Sequence, residues 1–180
     1  MANRQALRDL QTRLAQRLQA ARANTAVAAH WLAVEIGGRN YLLPLAQAGE
    51  IFAWSGVQRV PYTQDWFLGV ANLRGSLVGV VDVCPLLGHA VERTDVSLTD
   101  ASLLALNPSL QVNVALVVDR LMGLRGAQDL QPATAAANPV GLPVSDAARG
   151  ATYVDSAGAQ WQVLQLQQLA QQPEFLNIRV

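Results

Sequence analysis

From Trp31 onward the apolar residues of this chain recur at every second position, in short runs cut by glycine, proline, asparagine and aspartate. A period of two sends alternate side chains to opposite faces, and runs so often interrupted make short β-strands rather than helices. The stretch WLAVEIGGRNYLLPL, residues 31–45, sets Trp31, Ala33 and Glu35 against Leu32, Val34 and Ile36. It turns at Gly37-Gly38-Arg39-Asn40 and returns through Tyr41 to Leu45, which reads as a β-hairpin. GEIFAW (49–54) is a further short strand, VQRVPY (57–62) an extended piece ending in its proline, and DWFLGVANL (65–73) includes a helical turn. SLVGVVDV (76–83) is apolar at both parities, the mark of a strand buried on both faces.

A second series follows a polar connector, PLLGHAVERTDVSLTD (85–100). Residues 102–119 hold two strands around Asn107-Pro108, and RLMGLRGAQDLQP (120–132) is a shorter strand or loop. Residues 132–150 read as loop by their prolines, alanines and glycines. ATYVDSAGAQWQVLQL (151–166) is a hairpin around Asp155-Ser156-Ala157-Gly158, and QLQQLAQQPEFL (165–176) closes as a short helix broken at Pro173. Turn signals about every 8 to 12 residues predict a mainly β fold of small barrels or a sandwich, framed by a helix at each end. The chain falls into two halves, without a residue-level repeat between them.

Residues 3–22 carry the other period. Leu7, Leu10, Leu14, Leu18 and Ala21 recur at three- and four-residue steps, with Arg4, Arg8, Arg13, Arg17 and Arg22 filling much of the rest and Asp9 the only acid. This predicts an amphipathic helix. Three roles stay open for it: packing on or tethering to its own domain, binding a partner or a short coiled coil, and lying on a membrane surface. Residues 23–29 form a linker. The start has no continuous apolar core of a secretory signal, and no stretch reaches the roughly 20 apolar residues that span a bilayer, so a cytoplasmic protein with no direct membrane insertion is expected.

Composition narrows the function. Half the residues are hydrophobic (51%), ample for a core, while 14% charged is low for a soluble chain and fits a surface partly covered by partners. Formal net charge is zero, so the electrostatic footprint of nucleic-acid binding is absent and no nucleic acid is expected as partner. The thirteen basic residues are all arginine; without lysine there is neither a Schiff-base amine nor a P-loop lysine. The two histidines, His30 and His89, stand far apart, and the single Cys84 excludes an internal disulfide and a cysteine-based zinc site. Cys84 sits between Val83 and Pro85 and reads as a small core residue. No nucleophile elbow, zinc-protease motif or dinucleotide-binding glycine spacing occurs. No catalytic residue, metal or cofactor is assigned, and a non-enzyme is expected; the competing reading is a β-barrel enzyme or ligand-binding domain whose groups converge only in three dimensions.

One charge stands out. GVANLRGSLVGVVDV (69–83) is an apolar run broken by Asn72-Leu73-Arg74-Gly75. Gly75 allows a turn with positive φ, and Asn72 can hydrogen-bond across it. An arginine held between stiff strands is pre-ordered, so it loses little entropy on meeting a carboxylate or carbonyl groups. By physics alone it could equally be an ordinary solvated turn residue, and Glu50 a solvated strand charge.

The same stretch resembles the GVxNLRGxIxPVVDL signature of the CheW family of chemotaxis coupling proteins. GEIFAW is similar to that family's QEIxxY, VQRVPYTQDWFLGV to VTRIPNxPxFIxGV, and ALVVDRLMGLRGAQDL to its second-half LVVD pattern. The resemblance spans about residues 31–170, and the extended N-terminus with VVDRLMGLR is most similar to the branch serving type IV pilus chemosensory systems, which control twitching motility; a flagellar chemotaxis coupler is the alternative. It implies two small SH3-like five-stranded barrels packed together within residues 31–172, dividing near 84–100, after an N-terminal helix and linker (1–30) and before a C-terminal tail (173–180). It implies a non-catalytic adaptor that bridges a chemoreceptor's cytoplasmic tip to the regulatory domain of a CheA-type histidine kinase. On that pattern Arg74, Glu50 and Ala48 are partner-binding, while Asn72, Leu73 and Gly75 support the loop. Trp54, Trp66 and Phe67 read as core aromatics more than contacts. Against the family's pattern, Gly79 replaces a proline and loosens its strand, Ala48 is smaller than usual, and Arg120 replaces a glycine.

Overall fold

The structure is a computed structural model and describes residues 30–89, 91, 93–133 and 147–180. The helix expected over 3–22 lies outside the described residues, as does most of the loop expected over 132–150. The chain is mainly β, in two sheets. Its strands are β1 (Trp31–Ile36), β2 (Arg39–Pro44), β3 (Ala48–Ala53), β4 (Phe67–Leu73), β5 (Ser76–Val81), β6 (Ser102–Leu106), β7 (Val114–Val118), β8 (Arg120–Arg125), β9 (Leu130–Ala133), β10 (Arg149–Asp155) and β11 (Gln160–Leu164). Short helices α1 (Asp95–Thr99), α2 (Leu166–Ala170) and α3 (Pro173–Leu176) complete it.

The first sheet has the order β8-β1-β2-β11-β10-β9 and the second β3-β6-β7-β5-β4. Each joins two antiparallel hairpins through a parallel pair: β1–β2 and β10–β11 meet along β2 and β11, while β4–β5 and β6–β7 meet along β5 and β7. The two-unit reading of the sequence is thus present as a repeat of topology. A divide near 84–100 does not separate the units, because β3 to β7 form the second sheet as an insertion between β2 and β8. Neither ladder closes on itself among the described residues.

Three apolar clusters explain the double parity of the strands. Leu32, Val34 and Ile36 of β1, with Tyr41 and Leu43 of β2, meet Leu104, Leu106, Leu116 and Val118 in a core between the sheets. Ala33 and Leu42 face the other way, onto Trp161 and Val163. Val78 and Val80 join Leu103, Ala115 and Val117 inside the second sheet. From Val78 to Val81 the strand is accordingly covered on both faces, while Ser76 and Leu77 at its hairpin end are exposed. Gly79 does not loosen it: its N–H donates to the Asn113 carbonyl at 3.0 Å, a bond proline could not make, and a Cβ there would meet the Phe67 ring at 2.9 Å.

Some local expectations change. The first hairpin turns on Gly37-Gly38 alone, both at positive φ, as a two-residue loop between right-twisted strands requires. The turn expected within 65–73 is confined to Asp65–Trp66, closed by the Phe67 N–H on the Gln64 carbonyl at 2.9 Å; Phe67–Leu73 is strand throughout because it pairs with β5. The connector contains α1, started by a Thr94–Ser97 capping box. Residues 173–180 are not a free tail: Pro173 opens α3, Phe175 stacks on Trp66 at 6.0 Å in the inter-sheet core, and Arg179 bridges to Thr63.

The connector also holds a charge the sequence did not reveal. Arg93, its side chain 8% exposed, donates Nε to Asp82 Oδ2 at 2.8 Å and Nη1 to Asp119. Asp119 accepts from the Gly37 N–H at 2.6 Å, and Asp82 from the Cys84 N–H at 3.0 Å. One arginine therefore ties the ends of β5 and β7 to the first hairpin of the other sheet. Burial works against its charge, but the hydrogen bonds to both carboxylates keep it firmly protonated.

Candidate partner-binding surface

The β4–β5 hairpin ends in a two-residue loop, Arg74-Gly75, closed by the Leu73–Ser76 pair. Both residues have positive φ, 49° and 87°. That is the turn whose twist matches a right-handed strand pair, and it needs left-handed backbone at both positions. Gly75 adopts it freely. Arg74 does not, and the surrounding ladder holds it there. Asn72 Oδ1 accepts the Gly75 N–H at 2.8 Å, and Leu73 is buried among Ala71, Val78 and Leu103. The Asn72–Gly75 hydrogen bond and the buried Leu73 thus hold the loop on the second sheet.

β3 brings the second charge. Its register against β6 shifts between Ala48 and Ile51, a bulge at Gly49-Glu50. Only glycine fits at 49, where a Cβ would lie 2.7 Å from the Ala105 carbonyl oxygen. Bulges re-aim side chains, and here Glu50 Oε1 lies 2.6 Å from Arg74 Nη1. Phe52, two residues on, lies under the Arg74 guanidinium at 5.7 Å from its ring centre. The side chains of Arg74 and Glu50 are 75% and 46% exposed, so solvent screens the pair and it adds at most about 1 kcal/mol to stability. An accessible ion pair on a braced hairpin tip is suited to contact rather than to holding the fold together.

The structure therefore joins Arg74 and Glu50. It sets Ala48 apart, half-buried against the inter-sheet core. Trp66 and Phe67 are core residues, and Trp54 packs on the interior of the second sheet. Phe52 and Gly49 were missed; the GEI spacing inside a short strand was the only trace of the bulge.

The remaining reactive groups are spent in the fold. Cys84 is fully buried and its thiol is pushed up to about 12, by burial and then by Asp82, so it holds no thiolate near neutrality. Tyr41 is pushed up to about 12 by burial, and its hydroxyl lies 2.6 Å from His89 Nε2. Burial, Arg39 and Arg149 hold His89 below its ordinary value. Among the described residues no three His, Cys, Asp or Glu side chains stand where they could hold a metal, and no helix is long and apolar enough to cross a membrane.

Known proteins resemble this chain in sequence and in fold. Protein PilI of Pseudomonas aeruginosa is 28% identical over 152 residues, 81% of this chain and 77% of that protein. A probable chemotaxis protein CheW of Rhizobium etli is 30% identical over 57 residues, 32% of this chain and 37% of the relative. The crystal structure of the scaffolding protein TtCheW from Thermoanaerobacter tengcongensis superposes with a TM-score of 0.58 at 16% identity, over 76% of this chain and 88% of that one, a likeness of fold. The CheW-like domain model matches residues 30–174, which include both sheets and the Arg74 hairpin. This chain belongs to the CheW-like domain family.

Proposed function

We propose that this protein is a non-catalytic coupling adaptor of a bacterial chemosensory array, joining chemoreceptor cytoplasmic tips to the regulatory domain of a CheA-type histidine kinase in the cytoplasm. The observation that carries the reading is the Arg74–Glu50 pair: an exposed charge on a braced, strained hairpin tip, over the Phe52 ring and met by a carboxylate from the bulged strand β3 at the other end of the same sheet's strand order. Backbone strain at an exposed position is maintained where a side chain must be presented in one place. Among the described residues, burial pushes both the Cys84 thiol and the Tyr41 hydroxyl up to about 12, away from the range of a nucleophile or base at neutral pH.

The pathway is a type IV pilus system controlling twitching motility. This rests on the likeness to PilI, which runs over 81% of the chain, against 32% for the chemotaxis CheW relative. Pull-down of the full chain with a receptor-tip fragment and with a kinase regulatory domain tests the adaptor role. Capture of both supports it, and capture of neither contradicts it. Loss of twitching with swimming intact in a deletion strain supports the pilus assignment, and the reverse phenotype would move it to flagellar chemotaxis.

A further inference from the structure

The face of the first sheet that lines the inter-sheet core changes character at the β1–β2 turn. Leu43 of β2 and Leu164 of β11 lie in the core. Around them the same face carries Arg39, Tyr41, Gln162, Thr152 and Arg149. The register fixes this, because residues directly opposite in a ladder project to one face. Arg39 pairs with core-facing Ile36, Tyr41 with Val34 and Gln162, Gln162 with Thr152, and Arg149 with Leu164. The connector lays a sixth polar group over them. The Tyr41 hydroxyl lies 2.6 Å from His89 Nε2, and Arg149 Nη2 donates to the Leu87 carbonyl at 3.1 Å. Arg149, Thr152, Gln162 and His89 are half-buried, and Arg39 is exposed at the edge of the patch.

The charge of this patch is one-sided. Among the described residues neither Arg39 nor Arg149 has a carboxylate partner, and the acids of the connector, Asp82 and Asp119, are both tied to Arg93. The charges that act on His89 are the same two arginines. The Nε–H of Arg149 is enclosed and makes no hydrogen bond. Cations brought together repel, and an enclosed N–H without an acceptor is costly; an anion between the arginines would relieve both. We propose that this patch is an anion site for a phosphate group, held by the guanidinium groups of Arg39 and Arg149 with the Thr152 hydroxyl, the Gln162 amide and a ring N–H of His89. With the Tyr41 phenol donating to Nε2, the neutral imidazole carries its proton on Nδ1, which leaves a donor for the ligand. Two positive charges match the nearly double charge of a phosphate monoester at about pH 7, and each guanidinium fork fits a pair of its oxygens. A carboxylate has one charge and two oxygens, and would satisfy only one of the two arginines.

Titration of the full chain with inorganic phosphate, followed by the histidine ring resonances, tests the site. Ionic strength is held constant with sodium chloride, so that general screening does not change. His30, beside Trp31 at the opposite end of the β1–β2 hairpin, is the internal control. Phosphate should shift the His89 signals saturably, with a midpoint in the millimolar range or below, and leave those of His30 in place. It should also raise the pH at which His89 takes up its proton, since an adjacent anion favours the imidazolium. Arg39→Gln and Arg149→Gln should each weaken binding about tenfold, as loss of a charged donor does. Arg149 also holds the Leu87 carbonyl, so the exposed Arg39→Gln decides the matter if Arg149→Gln misfolds. A nucleoside monophosphate titrated in parallel separates the sources. Tighter binding than phosphate assigns the site to a phosphorylated small molecule, and equal or weaker binding to free phosphate. Acetate binding as well as phosphate, an unresponsive His89, or a phosphate response that survives Arg39→Gln would overturn the proposal.

Discussion

Arg74 and Arg93 are the same residue type in opposite circumstances, and their substitution should have opposite consequences. Arg74 is exposed, pairs with one accessible carboxylate and lies over one ring. Arg74→Ala should change unfolding free energy by no more than about 1 kcal/mol in chemical denaturation, because screened pairs contribute little. Arg93 is buried between Asp82 and Asp119. Arg93→Ala leaves two carboxylates without their counter-charge, one of them fully enclosed, and should cost about 3 to 5 kcal/mol by the same measurement. The sequence made Arg74 legible because a turn glycine and a family signature surround it. It hid Arg93, since a basic residue in a polar connector looks solvated, and only the folded path of residues 82–93 brings it between two strand ends.

The hairpin and the bulged strand are the elements that make the surface, and their strength lies beneath it. Leu73 roots the loop in the interior of the second sheet, so Leu73→Ala should lose about 2 to 5 kcal/mol and loosen the tip. Gly49→Val would drive a side chain into the Ala105 carbonyl; the expected result is a lower thermal midpoint and loss of the Glu50–Arg74 contact, seen as separated side-chain resonances. Most strands were readable from the apolar pattern, including the β1–β2 and β10–β11 hairpins and β5, of which Val78–Val81 are covered on both faces. Strand order was not. Alternation reports which faces are buried and is silent on which strand lies beside which, so the insertion of β3 to β7 between β2 and β8 escaped it. The departure of β4 from a helical turn has a similar cause: pairing with β5 along its length outweighs local preference.

At the scale of the molecule, the two sheets share one core and one ionic tie, so the fold should unfold as a unit. Removing residues 1–25 should leave that cooperative transition in place, because the described core begins at Leu32; its disappearance in calorimetry would show that the N-terminal leucines are part of the core. Stability should also fall on mild acidification. His89 has a folded pKa below its unfolded value, owing first to burial and then to Arg39 and Arg149. The unfolded chain therefore binds more protons in this range, so the His89 contribution is present above about pH 6.5 and is lost as pH falls below it. His89→Gln should flatten that part of the stability–pH curve, measured by denaturant midpoints between pH 8 and 5.

The central claim is that the Arg74–Glu50 corner is where a receptor docks, while the kinase uses a different surface. It is tested by titrating receptor-tip fragment and kinase regulatory domain separately against wild type, Arg74→Ala, Glu50→Ala and Glu50→Arg, at two salt concentrations. Arg74→Ala should weaken receptor binding by about 1 to 3 kcal/mol, the range for removing a charged anchor. Glu50→Ala should weaken it less. Glu50→Arg should abolish it, because two like charges then share the corner and repel both each other and a partner arranged for the native pair. The wild-type affinity should fall as salt rises, as an exposed ionic contact requires, and kinase affinity should hold across all four proteins. Unchanged receptor binding in Glu50→Arg, or equal loss of receptor and kinase binding in correctly folded variants, would contradict the claim.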